Sequence, residues 1–199
     1  MKSFIIRAAV IRRAAVILAL FQAAICMQGQ AAGSPAEKDF VSGGTVKLQL
    51  ESGDYDIRAS SDNHIHIHWN ETDKGVRVKL ETNGTLADLR VENTPHDNFH
   101  ASIEVPASTN LRIRLTAGNL RIDGIKGDKD IDMNAGDLKI AVGDPKEWAE
   151  VDASVAAGDI NATAFQVTKS GLFRSIHWQG PGKYKLNISL KAGDINLNR

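Results

Sequence analysis

From Phe40 onward apolar and polar residues alternate along the chain, the period-two signature of half-buried strands. Five stretches share more than alternation: LQLESGDYDI (48–57), IRLTAGNLRI (113–122), IDMNAGDLKI (131–140), ASVAAGDINA (153–162) and ISLKAGDINL (188–197). They align on Gly53, Gly118, Gly136, Gly158 and Gly193. Three residues before each glycine stand Leu50, Leu115, Met133, Val155 and Leu190; two residues after stand Tyr55, Leu120, Leu138, Ile160 and Ile195. The residue before the glycine is always small, and the residue after it is Asp54, Asn119, Asp137, Asp159 or Asp194.

The apolar positions on the two sides of each glycine are an odd number of residues apart. A straight strand would throw its second half onto the wrong face. The pattern therefore predicts a corner at each glycine, where the chain bends so that both halves point inward. Glycine supplies the backbone freedom, and the following Asp or Asn is expected to hydrogen-bond the backbone of its own turn.

Gly118, Gly136 and Gly158 are spaced like the coils of a solenoid, and the longer interval to Gly193 leaves room for an extra irregular turn. Gly53 stands well apart from Gly118, and the intervening chain reads as short strands at 45–50, 54–58, 63–69, 75–81, 87–92 and 99–105. The expectation is an all-β chain in which an N-terminal sheet or sandwich-like layer (40–110) runs into solenoid-like repeats (111–199), together one domain. Residues 32–39, polar around SPAEK, read as a linker, and Asp144 to Val151 hold room for one short helical turn.

The first 31 residues differ in kind. Met1 to Arg13 is basic, and Ala14 to Met27 is an apolar run broken only by Gln22. The run is short for a membrane span, which needs about 20 residues. It suits a secretory signal, with small residues placing cleavage after Ala31 or Gly33. Lipid attachment at Cys26 is disfavoured because the preceding residue is the bulky Ile25. The whole chain has 24 basic and 24 acidic side chains and one cysteine. Residues 1–31 contain four of the basic residues, none of the acidic ones and the cysteine, so a mature chain carries a net charge of −4 and no thiol. The mild acidity argues against nucleic acid as a partner, and the absence of thiols suits an exported, periplasmic, outer-envelope or secreted location without disulfides.

The stretch Phe40 to Gly44, the Ser52-Gly53-Asp54 turn, the I-x-V-P step from Ile103 to Pro106, the serial A-G-D/N corners and the closing AGDINL (192–197) together resemble a bacterial family of adhesin-like proteins of unknown function. That family is related to β-helical adhesin head domains. The resemblance covers residues 40–199 and implies an exported, right-handed β-solenoid-like protein of the cell envelope. It carries over no catalytic residue.

Candidate chemistry is sparse. His64, His66 and His68 alternate with Ile65 and Ile67, so all three imidazoles share one strand face. Neighbours at i and i+2 suit one zinc, copper or nickel ion; the third at i+4 is too far without bending. The plainer reading is a polar outer face with the isoleucines in the core. Asp128, Asp130 and Asp132 lack the glycine and glutamate of a calcium loop and read as an outward strand face. Trp148, Phe173, His177, Trp178 and Tyr184 gather around Gly180-Pro181-Gly182, as a plug closing the coil or as a surface for stacking on sugars. N-x-S/T sequons at Asn70, Asn83, Asn161 and Asn187 matter only in a glycosylating host. No nucleophile elbow or phosphate loop is present in the sequence. The reading is a non-enzymatic envelope protein without a cofactor, acting as an adhesin or scaffold toward an envelope protein or glycan. Its rivals are a metal-binding protein using the histidine strand and a polysaccharide-active β-helix enzyme.

Overall fold

The computed structural model describes residues 36–70, 75–95 and 98–199. Residues 1–31, read above as a secretory signal and containing Cys26, lie outside these residues. In chain order the strands are β1 (Ala36–Asp39), β2 (Thr45–Ser52), β3 (Asp54–Ser60), β4 (His64–Trp69), β5 (Arg77–Asn83), β6 (Leu86–Glu92), β7 (His100–Pro106), β8 (Asn110–Ala117) and β9 (Leu120–Asp123). They continue as β10 (Lys129–Ala135), β11 (Leu138–Ala141), β12 (Trp148–Ala157), β13 (Ile160–Ala162), β14 (Val167–Lys169), β15 (Leu172–Gln179), β16 (Tyr184–Ala192) and β17 (Ile195–Asn198). The expected short turn is a 3-10 helix at Pro145–Glu147, capped by the Asp144 side chain accepting from the Lys146 N–H. A second, unanticipated one spans Thr163–Phe165.

All strands belong to two sheets with a single core between them. Sheet A runs β1-β4-β7-β3-β9-β11-β17-β13-β14 and sheet B runs β15-β12-β16-β10-β8-β2-β6-β5. Each predicted corner joins the two sheets: β2 passes to β3 at Gly53, β8 to β9 at Gly118, β10 to β11 at Gly136, β12 to β13 at Gly158 and β16 to β17 at Gly193. Coil against coil the strands are parallel and in matching register, so Leu50, Leu115, Met133, Leu190 and Val155 form one buried row. Antiparallel strands finish the ends of both sheets. The six short strands foreseen between residues 45 and 105 all form, and they extend the same two sheets as the repeats.

Two features depart from expectation. Ala36–Asp39, read as part of a linker, is an edge strand paired antiparallel with β4, because Ala36 and the following Phe40 have apolar sites to fill. The coils also do not stack in chain order. β16 lies between β10 and β12, and β17 lies between β11 and β13. The long interval before Gly193 holds β14 and β15, which cap one end before the chain returns to fill the gap.

The corner has a structural logic beyond a bend. At Gly136 φ is +115°, and a Cβ added there would lie 1.9 Å from the Gly118 carbonyl oxygen. The same contact recurs along the spatial series Gly53, Gly118, Gly136, Gly193, Gly158, so each glycine leaves room for its neighbour's backbone. Beside this column runs a ladder of side chains. Asp54 Oδ1 accepts from the Asn119 N–H, Asn119 Oδ1 from Asp137, Asp137 Oδ1 from Asp194, Asp194 Oδ1 from Asp159, and Asp159 Oδ1 from Gly171. The corner Asp and Asn residues thus serve the next coil and not their own turn, because parallel stacking brings a free N–H within reach of each.

Candidate functional site

The outward face of β4 lies at one end of sheet A. Ile65 and Ile67 are fully buried, which aims His64, His66 and His68 outward as the alternation requires. The edge strand β1 then adds what the sequence did not reveal. Its register sets Glu37 opposite His66 and Asp39 opposite His64. Glu37 reaches both rings: its oxygens lie 3.9 Å from His64 Nε2 and 3.8 Å from His66 Nδ1. Asp39 Oδ1 is 2.8 Å from His64 Nε2. On the far side Asp62 contacts His66 Nε2 at 3.1 and 3.2 Å, and its Oδ2 stands 3.6 Å from His64 Nδ1, which has no hydrogen-bond partner. The hydrogen bond to the His66 ring holds the Asp62 carboxyl below its usual range; desolvation opposes this, and the bond from the His64 N–H reinforces it. The two rings are 5.8 Å apart. His68, opposite Ser102, falls outside the group, so of the three candidate histidines the fold brings two together.

A second cluster joins Glu150, Asp152 and His177 on sheet B. His177 Nδ1 is 2.6 Å from Asp152 Oδ1, and that hydrogen bond with the carboxylate's charge raises the imidazole's pKa. Glu150 is already paired with the Lys185 ammonium at 3.0 Å. This group is a salt-bridge network with its own cation.

The aromatic residues divide. Trp178 packs against Phe165 in a tilted arrangement with ring centroids 4.8 Å apart, and Trp148 packs edge-on against Tyr184 at 6.1 Å. These four close gaps in the core, as a plug should. Phe173 does not join them. It sits where the chain crosses from β14 to β15, with φ of +52° and 82% of its surface exposed beside Leu172 at 64%. The tip is braced beneath: Lys169 Nζ donates to the Ser175 carbonyl, Arg174 Nε to the Ser170 carbonyl, and the Gly171 N–H to Asp159 at the end of the ladder.

On the outer face of sheet B a shallow groove is lined by Glu51, Arg90, Glu92, Arg114, Asp132 and Lys191 among others. Its acids share it with basic neighbours, and Asp132 lies 3.5 Å from the Arg114 guanidinium. Asp130 and Asp132 face outward on β10, as the alternation predicts.

One buried group escaped the sequence reading. Lys129 is 3% exposed and stands in the inward row otherwise filled by Val46, Leu111, Leu186 and Val151. Its ammonium donates to the carbonyls of Ile125 and Gly127 and lies 4.8 Å from the Trp148 ring. Burial lowers its pKa to about 8, with Asp128 and Glu147 partly offsetting. The signal was present: Lys129 shares the parity of Ile131 and Met133, and so points inward.

Among the described residues no helix is long and apolar enough to cross a membrane. No functionally curated protein matches the chain. Among solved structures, a candidate cell adhesion protein from Clostridium sporogenes aligns with a TM-score of 0.50 at 16% identity, covering 83% of this chain and 99% of that one. A candidate adhesin from Bacteroides fragilis aligns over 85% of this chain and 98% of its own, at 12% identity and a TM-score of 0.30. The first likeness supports the fold alone. The family model described as Toastrack DUF4097 matches residues 41–198, nearly the whole of the two-sheet stack, and the chain belongs to that family.

Proposed function

We propose that this is an exported, non-catalytic envelope protein that presents a rigid frame for contact with another surface, in the manner of an adhesin or scaffold. The observation that carries the reading is the β14–β15 tip. A large aromatic side chain in water and a left-handed backbone at a non-glycine residue are both unfavourable in isolation, the backbone by about 1–3 kcal/mol. Both are expected where a partner covers the ring. The brace from Asp159, Lys169 and Arg174 fixes the tip before contact, which lowers the ordering cost of binding. The signal-like segment at 1–31 and the fold shared with a candidate cell adhesion protein agree with this reading.

The test places a photo-activatable aromatic residue at position 173 and identifies what it cross-links in isolated envelopes and on glycan arrays. A discrete adduct that Leu172→Ser prevents is the expected result. Cross-linking that is diffuse and unaffected by Leu172→Ser rejects the tip as a contact site, and measured turnover on a polysaccharide rejects the non-catalytic assignment.

A further inference from the structure

We infer that Glu37, His64 and His66 form a binding site for one divalent transition cation of the zinc, copper or nickel class, with Asp62 as the carboxylate that orients both rings. The donor atoms of the three residues lie within 4.8 Å of one another. In a tetrahedral zinc site with bonds of about 2.0–2.1 Å, neighbouring donors stand about 3.3 Å apart. The Glu37 oxygens, at 3.8 and 3.9 Å from the two ring nitrogens, need to close by only about half an ångström. Glu37 is more than half exposed and sits on a terminal edge strand, so this adjustment disturbs no packing.

The roles of the ring nitrogens support the assignment. His64 Nε2 and His66 Nδ1 face Glu37; the opposite nitrogens, His64 Nδ1 and His66 Nε2, face Asp62. Metal-bound histidines characteristically donate their second N–H to a carboxylate, which fixes the tautomer and strengthens the donor. Asp62 already pairs with His66 Nε2 in this way, and its Oδ2, 3.6 Å from the unpaired His64 Nδ1, needs only a small movement to do the same for the second ring. Asp39, 2.8 Å from His64 Nε2 and fully open to solvent, supplies a further oxygen able to turn onto the ion. Imidazole nitrogen with carboxylate oxygen suits zinc, copper and nickel in preference to magnesium or calcium. The Glu150, Asp152 and His177 group does not compete, because Lys185 already neutralises Glu150.

The site spans two strands, so occupancy has a mechanical consequence. Glu37 belongs to β1, and the histidines to β4. A bound ion joins the two through side chains as well as backbone, holding down the edge of sheet A. The inference is independent of the contact role of the β14–β15 tip, which lies at the opposite end of the stack.

The experiment uses the chain purified without a histidine tag and stripped with chelator, titrated calorimetrically with zinc, copper(II) and nickel salts in turn. One equivalent bound at micromolar or tighter affinity is expected for at least one of them. His66→Ala abolishes it, Glu37→Gln weakens it, and Asp62→Asn weakens it by about 10- to 100-fold. His68→Ala and His177→Ala leave it unchanged. Hydrogen exchange at the β1 amides slows when the ion is added. Absence of uptake for all three metals overturns the site, as does uptake that survives His66→Ala, uptake that His68→Ala removes, or uptake without slowing at β1. The two rings are partly buried on the outer face of sheet A, apart from the core, and an unchanged melting temperature of each metal-free variant confirms that the loss is one of ligands and not of fold.

Discussion

At Gly136 two demands coincide: a backbone conformation that side chains avoid, and a neighbour's carbonyl where the Cβ would stand. Gly143 separates them. Its φ is +67°, yet an added Cβ meets nothing within 4 Å. Gly143→Ala should therefore cost about 1 kcal/mol, the price of conformation alone. Gly136→Ala should cost distinctly more, because its stack has no room to give. Urea unfolding of both variants checks this, and equal costs would show that stacking imposes no requirement of its own. Lys129 makes a second residue-level prediction. Its pKa is about 8 in the fold and near 10.5 in the unfolded chain. Between those values the unfolded chain holds a proton that the folded one has released, so stability rises with pH across the window. The rise attributable to Lys129 is at most about 3 kcal/mol. Comparing stability from pH 7 to 11 in the wild type and in Lys129→Met isolates it, since every other titrating group is common to both. Parallel curves would mean that the ammonium is not desolvated.

At the level of elements, the corner ladder makes each coil a hydrogen-bond partner of the next. Asp194 accepts from Asp159 and donates its own N–H to Asp137. Asp194→Ala should cost about 1 kcal/mol through the lost acceptor. Asp194→Asn keeps the oxygen, removes a like charge between Asp159 and Asp137, and should be neutral or stabilising. Melting temperatures decide, and an Asn variant as weak as the Ala variant would show that the ladder depends on charge instead of on an acceptor. The ladder also marks how far the sequence could be read. The corners, the burial parity of almost every strand and the outward histidines were legible, because all follow from a period of two interrupted by an odd step. The partners were not. Asp after glycine satisfies its own turn or a neighbour equally well until the neighbour's position is known. Glu37 was hidden for a related reason: a four-residue edge strand carries too little alternation to stand out from a linker, so the third donor beside His64 and His66 could not be seen. Phe173 shares its stretch of sequence with three core-closing aromatics, and only its left-handed backbone sets it apart.

For the whole molecule the decisive feature is the order of the coils. Equivalent corners with matching apolar columns can stack in any order with the same register, so the pattern alone cannot choose among them. In the fold the last coil, β16 with β17, separates β10–β11 from β12–β13. It contributes Leu186, Ile188, Leu190, Ile195 and Leu197 to the core, each buried to within 2%. At about 1.5–3 kcal/mol per side chain this is about 7–15 kcal/mol of burial, as large as the whole net stability of a typical domain. In a solenoid stacked in chain order, the last coil is an end piece, and its loss leaves the others paired. Here its loss leaves β12 with no parallel partner, because β12 touches β10 only through β16. A chain ending at Lys183 should therefore lose hydrogen-exchange protection throughout β12 and β15, while β2, β8 and β10, which pair directly, keep a reduced level. Adding a peptide of residues 184–199 should restore β12. Protection of β12 in the truncated chain without that peptide would mean that it pairs directly with β10, and that coil order is not fixed by the closing strands.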